Sequence, residues 1–415
     1  MRYIISLLAL TVEALGQAGA FDQCGGKDWS DICIAGYTCT FINDEYSQCL
    51  SGTAVSAKFR SRGVIKSATV TGNMNNSRPR NSARNSEGRL KWLGVSESAA
   101  ERGQGKYPGV WGEDFRFPNE NAIDALIDEG YNIFRVPFAM ERVAYPSMTS
   151  SLQTDYLNNL TSIINFITKK GKHAILEPHN FGRYNINDDD NFTAALKWMK
   201  GIFGNHSDVF KDTAVFKTFW ENLARAFRDN DRVIFTTNND FRGIDQDSVL
   251  QFNQAAIDGI RASGAREQYI MVEGNAWFGA RKWISTNDNL KQLRDPQGKI
   301  IYEIHQYLDV AGAGIKDDCM TSTIGRDRVA STTRWLRDNK KVGIIGEFAA
   351  GANPQCKQAV AGLLDHLQAN SDVWMGALWW AAGPWDSEEG RRFSFEPPNG
   401  VGFKYYNTLL QKYLP

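Results

Sequence analysis

The stretch Arg328-Val329-Ala330-Ser331-Thr332-Thr333-Arg334-Trp335-Leu336-Arg337-Asp338-Asn339-Lys340, continued by Lys341 and Val342-Gly343-Ile344-Ile345-Gly346-Glu347-Phe348, decides the fold. Val329, Thr333 and Leu336 fall one helical turn apart, so residues 328–340 present one face of a helix to a core. Residues 342–348 are too short for an ordinary helix and read as a buried strand. The same alternation extends outward in both directions. Short apolar runs stand at 90–95, 132–138, 173–179, 233–240, 269–275, 301–307, 342–348 and 375–381. Helical spacing fills 157–170, 214–228, 249–262, 328–340 and 359–369. Eight buried strands alternating with helices predict an α/β chain folded as a (β/α)8 barrel, parallel because each crossover is helical. A doubly wound sheet is the competing arrangement, but no Gly-rich phosphate loop follows the first strand.

The chain has 415 residues, 42% of them hydrophobic, with 47 basic and 47 acidic side chains. Zero net charge excludes a nucleic-acid binder, which needs a basic surplus, and the apolar content excludes a disordered chain. Twelve tryptophans favour a protein that stacks rings against planar or sugar-like ligands.

Arg2, the apolar run from Ile4 to Leu10, and Ala18-Gly19-Ala20 before Phe21 read as a secretory signal peptide over residues 1–20. The run is too short to span a bilayer, and no later stretch approaches eighteen apolar residues. A secreted, extracellular protein with no membrane partner is therefore expected. Four of six cysteines, Cys24, Cys33, Cys39 and Cys49, crowd into residues 21–50, and Cys319 and Cys356 lie far off. In an oxidising compartment that crowding reads as a disulfide framework for a module too small to hold itself by burial. Zinc is the rival reading, set aside because no C-x-x-C pair is present. Sequons at Asn75, Asn159, Asn191 and Asn205 agree with secretion.

Residues 51–89, rich in Ser, Asn, Arg and Gly, read as a flexible basic linker, and the barrel is expected over 90–415. Neutrality comes from addition: residues 21–50 carry one basic and five acidic side chains, 51–90 eight and one, and 91–415 37 and 40.

A barrel puts its chemistry at the C-terminal ends of its strands. Those ends deliver Arg135, His179 with Asn180, Asn239 with Asp240, Asn275, His305 with Tyr307, Glu347, and Trp379 with Trp380. Asp240 and Glu347, from strands four and seven, can face each other across the mouth. Paired carboxyls beside aromatic platforms are what glycoside cleavage needs: one protonates the leaving oxygen and one attacks or activates water. A metal hydrolase built on His179 and His305 is the weaker alternative, since no third ligand has suitable spacing, and no metal or other cofactor is expected.

At these residues the chain resembles glycoside hydrolase family 5, specifically the fungal secreted endo-β-1,4-glucanases. Ile133-Phe134-Arg135-Val136-Pro137-Phe138, Glu177-Pro178-His179-Asn180-Phe181-Gly182-Arg183-Tyr184, His305-Gln306-Tyr307-Leu308-Asp309, Ile344-Ile345-Gly346-Glu347-Phe348 and Leu378-Trp379-Trp380-Ala381-Ala382-Gly383-Pro384-Trp385 carry the match. The resemblance implies Glu347 as nucleophile, and Arg135 and Tyr307 as the residues that hold it. It further implies His179, Asn239 and His305 as substrate-ordering residues, Trp380 as a sugar platform and a Cys319–Cys356 disulfide. Residues 21–50 resemble the fungal family 1 cellulose-binding module, through Phe21-Asp22-Gln23-Cys24-Gly25-Gly26, Gly36-Tyr37-Thr38-Cys39 and Tyr46-Ser47-Gln48-Cys49-Leu50. That implies bridges Cys24–Cys39 and Cys33–Cys49, with Phe21, Tyr46 and Gln48 toward cellulose.

The chain departs from these patterns in several places. Glu45 stands where the module's third ring is expected, and the segment from Cys24 to Cys33 is short, so cellulose binding should be weakened or redirected. The family's Asn-Glu at strand four, with a His two positions on, is here Asn239-Asp240 followed by Arg242. Asp withdraws the carboxyl by roughly 1.5 Å, and a misplacement of about 1 Å can cost on the order of a hundredfold in rate. An inward Arg242 would also stabilise the ionised form of a group that must act as an acid. The shorter acid could also widen the carboxyl pair from the roughly 5–5.5 Å of retaining enzymes toward the roughly 6.5–9.5 Å of inverting ones. Glu177 and Glu303 read as structural. Residues 187–208 exceed the family's usual connection and read as a surface insertion.

The expectation is a monomeric, impaired retaining endo-β-1,4-glucanase acting on cellulose or related β-glucan. Its alternatives are a decayed β-glucan-binding protein, or a family member acting on another β-glycan such as xylan or mannan.

Overall fold

The computed structural model describes residues 88–184, 210–275, 279–384 and 392–415, with shorter pieces between residues 17 and 51. The chain divides into two compact units, Met1–Ser86 and Glu87–Pro415.

In the first unit, Trp29–Ser30, Gln23–Gly26, Tyr46–Ser51 and Tyr37–Asn43 form a four-stranded antiparallel sheet in that order. Cys24 is bonded to Cys39 and Cys33 to Cys49, with Cα–Cα distances of 5.7 and 5.6 Å. Cys24 and Cys49 are buried, so disulfide sulfur supplies the interior that apolar side chains supply in larger domains.

The second unit is the barrel. Its strands are β1 (Trp92–Glu97), β2 (Ile133–Phe138), β3 (His173–Pro178), β4 (Val233–Thr236), β5 (Ile270–Glu273), β6 (Ile300–His305), β7 (Gly343–Phe348) and β8 (Trp374–Ala382). Every neighbouring pair is parallel, and β8 closes on β1. The outer layer contains α1 (Glu120–Asp128), α2 (Thr154–Lys169), α3 (Thr213–Arg225), α4 (Gln246–Ala262), α5 (Trp283–Asn287), α6 (Ile324–Asp338), α7 (Pro354–Ala369) and α8 (Val401–Leu410). Local signals set several helix starts. Asp245 accepts from the amides of Asp247 and Ser248, and Asn353 accepts from Cys356 ahead of Pro354. No helix among the described residues is long and apolar enough to cross a membrane.

Inside the barrel the side chains form tiers. The floor takes one residue from each strand: Trp92, Ile133, Ile175, Ile234, Met271, Ile301, Ile344 and Leu378, all buried. Side chains of this size, buried this completely, hold roughly 2–5 kcal/mol each against truncation to Ala. Strand side chains alternate between faces, so the next inward tier lies two residues on. It contains Arg135, Glu177, Thr236, Glu273, Glu303, Gly346 and Trp380. A Cβ on Gly346 would meet Glu303 Oε1 at 2.1 Å, so glycine there leaves room for the carboxylate.

Glu97, at the end of β1, is fully buried, and neither of its carboxyl oxygens has a hydrogen-bond partner among the described residues. Burial, and then the nearby Glu396, push its pKa well up. A folded-state pKa above the unfolded one means that stability is greatest below about pH 4.3 and falls as pH rises toward the folded value. Glu97→Gln keeps the neutral form at every pH. Its melting temperature is expected to fall less than that of the parent between pH 4 and 7; parallel curves would show that Glu97 is not the group responsible.

Candidate active site

Arg135, fully buried on β2, is the centre of the charged tier. Its Nη1 lies 2.8 Å from Glu347 Oε1 and 3.3 Å from Glu177 Oε2, its Nε 3.0 Å from Glu303 Oε1, and its Nη2 3.3 Å from Glu273 Oε1. Nη2 also donates to Asn239 Oδ1 at 2.5 Å. Burial opposes the charge, but Glu177, Glu303, Glu347 and Glu273 outweigh it and hold the guanidinium more firmly protonated than usual. One cation thus organises four carboxylates, of which Glu347 also reaches the cleft.

The second oxygen of Glu347 accepts from Tyr307 Oη at 2.7 Å. Burial, the Glu347 charge and this hydrogen bond keep the Tyr307 phenol protonated, and so a donor. Tyr307 is fixed by its loop. Arg328 Nη1 binds the carbonyls of Tyr307 and Asp309 at 2.7 and 2.8 Å, and a Cβ on Gly314 would sit 2.6 Å from the Tyr307 ring. Cys319 and Cys356 are bonded, tying the segment after this loop to α7.

Asp240 lies four residues beyond β4 at φ +43°, its amide donating to Glu273 Oε2 at 2.7 Å. Its Oδ1 is 3.4 Å from His305 Nδ1, and the same nitrogen is 3.6 Å from Glu347 Oε2. Burial alone would raise the Asp240 pKa, but His305, through charge and hydrogen bond, then Arg242 and His179, hold the carboxyl below the usual range. His305 is raised in turn, because Glu347, Glu273 and Asp240 outweigh its burial. Arg242 lines the cleft, as the inward reading required.

His179 stacks on Trp380 at 5.3 Å and 13°, and its Nδ1 contacts both Glu177 oxygens at 3.2 Å, which leaves Nε2 for the cleft. The cleft encloses about 490 Å³ and is lined by His179, Asn239, Asp240, His305, Tyr307, Glu347 and Trp380, among others. Three strand-end residues from the sequence turn elsewhere. Asn180 donates to Glu141, Trp379 is buried with its Nε1 on Phe393 O, and Asn275 donates to the Ile244 carbonyl. Glu177 and Glu303 lie beneath the cleft on Arg135.

Sequence reasoning missed Glu273. The run 269–275 drew attention to Asn275, whereas β5 ends at Glu273. The signal was the alternation itself, since Glu273 stands two residues after floor residue Met271, as Arg135 does after Ile133. Burial pushes Glu273 up to about 8, with Glu303 adding to the rise and His305 and Arg135 opposing it. Asp240, Glu273 and His305 also bring ligand-type atoms within 4.8 Å of one another, the three-residue grouping that the sequence spacing had not revealed.

Phe21, the sequons at Asn75, Asn191 and Asn205, the stretch 187–208 and Trp385 lie outside the described residues, as do the side chains of Tyr46 and Gln48.

The chain matches "Cellulase (glycosyl hydrolase family 5)" over residues 86–383 and "Fungal cellulose binding domain" over residues 20–46. It is 47% identical to Endoglucanase gh5-1 of Neurospora crassa and 46% identical to Endoglucanase 3 of Humicola insolens, in each case over the full length of both proteins. Among solved structures it superposes with a TM-score of 0.69 on the endo-beta-1,4-glucanase Xac0029 from Xanthomonas axonopodis pv. citri. The two are 30% identical, over 79% of this chain and 100% of that one. A closed parallel barrel, an arginine-clamped carboxylate on β7 and a match spanning most of the chain converge: the protein is a family 5 glycosyl hydrolase carrying a fungal cellulose binding domain.

Proposed function

We propose that the protein is a secreted endo-β-1,4-glucanase that cleaves internal bonds of cellulose or related β-glucan by a retaining double displacement, with slow turnover. The observation that carries this is the shared imidazole: Asp240 Oδ1 and Glu347 Oε2 lie 3.4 and 3.6 Å from the same His305 nitrogen. Their separation is therefore at most about 7 Å. That limit accommodates the roughly 5–5.5 Å of retaining pairs.

Glu347, held by Arg135 and Tyr307, attacks the anomeric carbon, while Asp240 gives its proton to the leaving oxygen. Asp240 then takes a proton from water, which displaces Glu347 from the glycosyl-enzyme. His179, Asn239 and His305 order the sugar, and Trp380 stacks on it. The low pKa of Asp240 accounts for the slow turnover, because an efficient acid has a pKa near the working pH. Residues 1–20 act as signal peptide, 21–50 as the cellulose-binding module through Phe21, Tyr46 and Gln48, and 51–89 as spacer to a monomeric barrel over 90–415.

The low Asp240 pKa also favours a second reading, a β-glucan-binding protein with a decayed site. An aryl β-cellobioside separates the two, because its phenol leaves without strong acid help. Hydrolase function predicts a burst of phenol; a binder releases none. Asp240→Glu is expected to raise turnover on soluble β-1,4-glucan about tenfold to a hundredfold, at a stability cost of roughly 1 kcal/mol because Asp tolerates φ > 0 better than Glu. Unchanged turnover would mean that the shorter acid is not the handicap. Product profiles on cellulose, xylan, mannan and mixed-linkage glucan decide among β-glycans.

A further inference from the structure

The His305 ring, 7% exposed, stands between two acids in unlike surroundings. Its Nδ1 is 3.4 Å from Asp240 Oδ1, and its Nε2 is 3.5 Å from Glu273 Oε1. Asp240 lines the cleft, whereas Glu273 is buried and does not. Both contacts are longer than a settled hydrogen bond. Catalytic contacts of this kind commonly tighten to roughly 2.6–3.2 Å once substrate is bound. A ring with one nitrogen toward each acid can take a proton on one side and release another on the opposite side.

Two further carboxylates face the ring. Glu347 Oε2 is 3.6 Å from Nδ1 and already accepts from Tyr307, and Glu303 Oε1 is 3.8 Å from Nε2. Glu303 is the poorer place for a proton. Burial would raise its pKa, but Arg135 Nε at 3.0 Å, His305 and the Thr236 hydroxyl at 2.7 Å outweigh it and hold Glu303 below the usual range. Glu273 meets Arg135 Nη2 at the longer distance of 3.3 Å, and burial, with Glu303 adding, carries it up to about 8. In mildly acidic solution Glu273 therefore keeps a proton that Asp240 gives up.

We propose that Glu273, a positioning residue out of reach of the sugar, holds with His305 the proton that Asp240 donates, and passes it through the imidazole ring. This rests on the reading that Asp240 protonates the leaving oxygen. As the glycosidic C–O bond breaks, the proton shared by Glu273 Oε1 and His305 Nε2 settles on Nε2. The Nδ1 proton moves to Asp240 Oδ1, and Asp240 protonates the departing oxygen. Glu273 is left as a carboxylate facing Arg135, and His305 is neutral with its hydrogen on Nε2. In the second step Asp240 takes a proton from water, whose oxygen displaces Glu347. That proton returns to Nδ1, and the Nε2 proton is again shared with Glu273. Asp240 thus begins and ends the cycle as a carboxylate, and one water is consumed.

The test is Glu273→Gln in the full protein. The amide keeps an acceptor for the Asp240 N–H, which Glu273 Oε2 receives at 2.7 Å, and loses the proton. Two substrates are compared by kcat/KM, which reports the steps up to the first bond cleavage. On a β-1,4-gluco-oligosaccharide, whose leaving oxygen needs an acid, the variant is expected to lose about tenfold or more. On a dinitrophenyl β-cellobioside, whose phenol leaves without one, it should be nearly unchanged. Damage to the fold would lower both alike. Nitrogen-15 NMR of labelled histidine then reads which ring nitrogens of His305 carry hydrogen, and Glu273→Gln should deplete hydrogen at Nε2. Equal losses on both substrates, no loss on either, or an unchanged His305 spectrum overturns the inference even if glucan is cut. If the parent cuts neither substrate, the hydrolase reading fails instead, and the spectrum still decides whether Glu273 governs the ring proton.

Discussion

Glu347→Gln is expected to lower kcat on soluble β-1,4-glucan by on the order of 10⁴-fold or more, and to abolish the phenol burst from an aryl β-cellobioside. The amide is nearly isosteric, but it removes the charge proposed to attack and keeps one acceptor oxygen where Glu347 offers two, so either Tyr307 or Arg135 loses its acceptor. The fold should survive, because Glu177, Glu273 and Glu303 remain around the guanidinium. Far-UV circular dichroism and melting temperature check that the loss is chemical. A variant that still hydrolyses at the parental rate would remove Glu347 from the nucleophile's role.

Arg135→Met reverses the balance. It leaves Glu177, Glu273, Glu303 and Glu347 buried around an apolar chain with their shared cation gone. Breaking a buried pair from one side costs about 3–5 kcal/mol, so the melting temperature should drop by roughly 5–15 °C at pH 7. The sign with pH is fixed. Carboxylates without a cation have raised folded-state pKa values, so their penalty is small in acid and grows as pH rises. The gap between parent and variant should therefore be wider at pH 7 than at pH 4. Arg135→Lys, which keeps the charge and loses the fork, should fall between the two. A melting temperature unchanged at pH 7 would mean that the four acids do not depend on Arg135.

Much of the barrel was legible because β-branched runs and helical spacing alternate without ambiguity. Regions 157–170, 214–228, 249–262, 328–340 and 359–369 correspond to α2, α3, α4, α6 and α7 within a few residues. The helices not singled out were α1, α5 and α8; α1 and α8 have nine and ten residues and α5 five, lengths at which periodicity is weak. Strand ends were harder, because apolar character continues after the ladder stops. β4 ends at Thr236, although the run reaches Asp240, and the last residues form the turn that gives Asp240 its φ of +43°. β5 ends at Glu273, and at the following Gly274 a Cβ would stand 2.4 Å from Asn287. That Glu273 and Asp240 share a contact is a product of the turn and of barrel closure. Neither is written in the local sequence.

The apolar floor has a consequence for when protons move. It draws one side chain from every strand and lies below the charged tier, and among the described residues His305, Asp240 and Glu347 line the cleft at the mouth. On the proposed function, water that reaches His305, Asp240 or Glu347 through the cleft crosses the space a glucan chain would fill. A bound chain thus acts as a stopper, and the distribution of protons present when it enters is the one with which the first bond is broken.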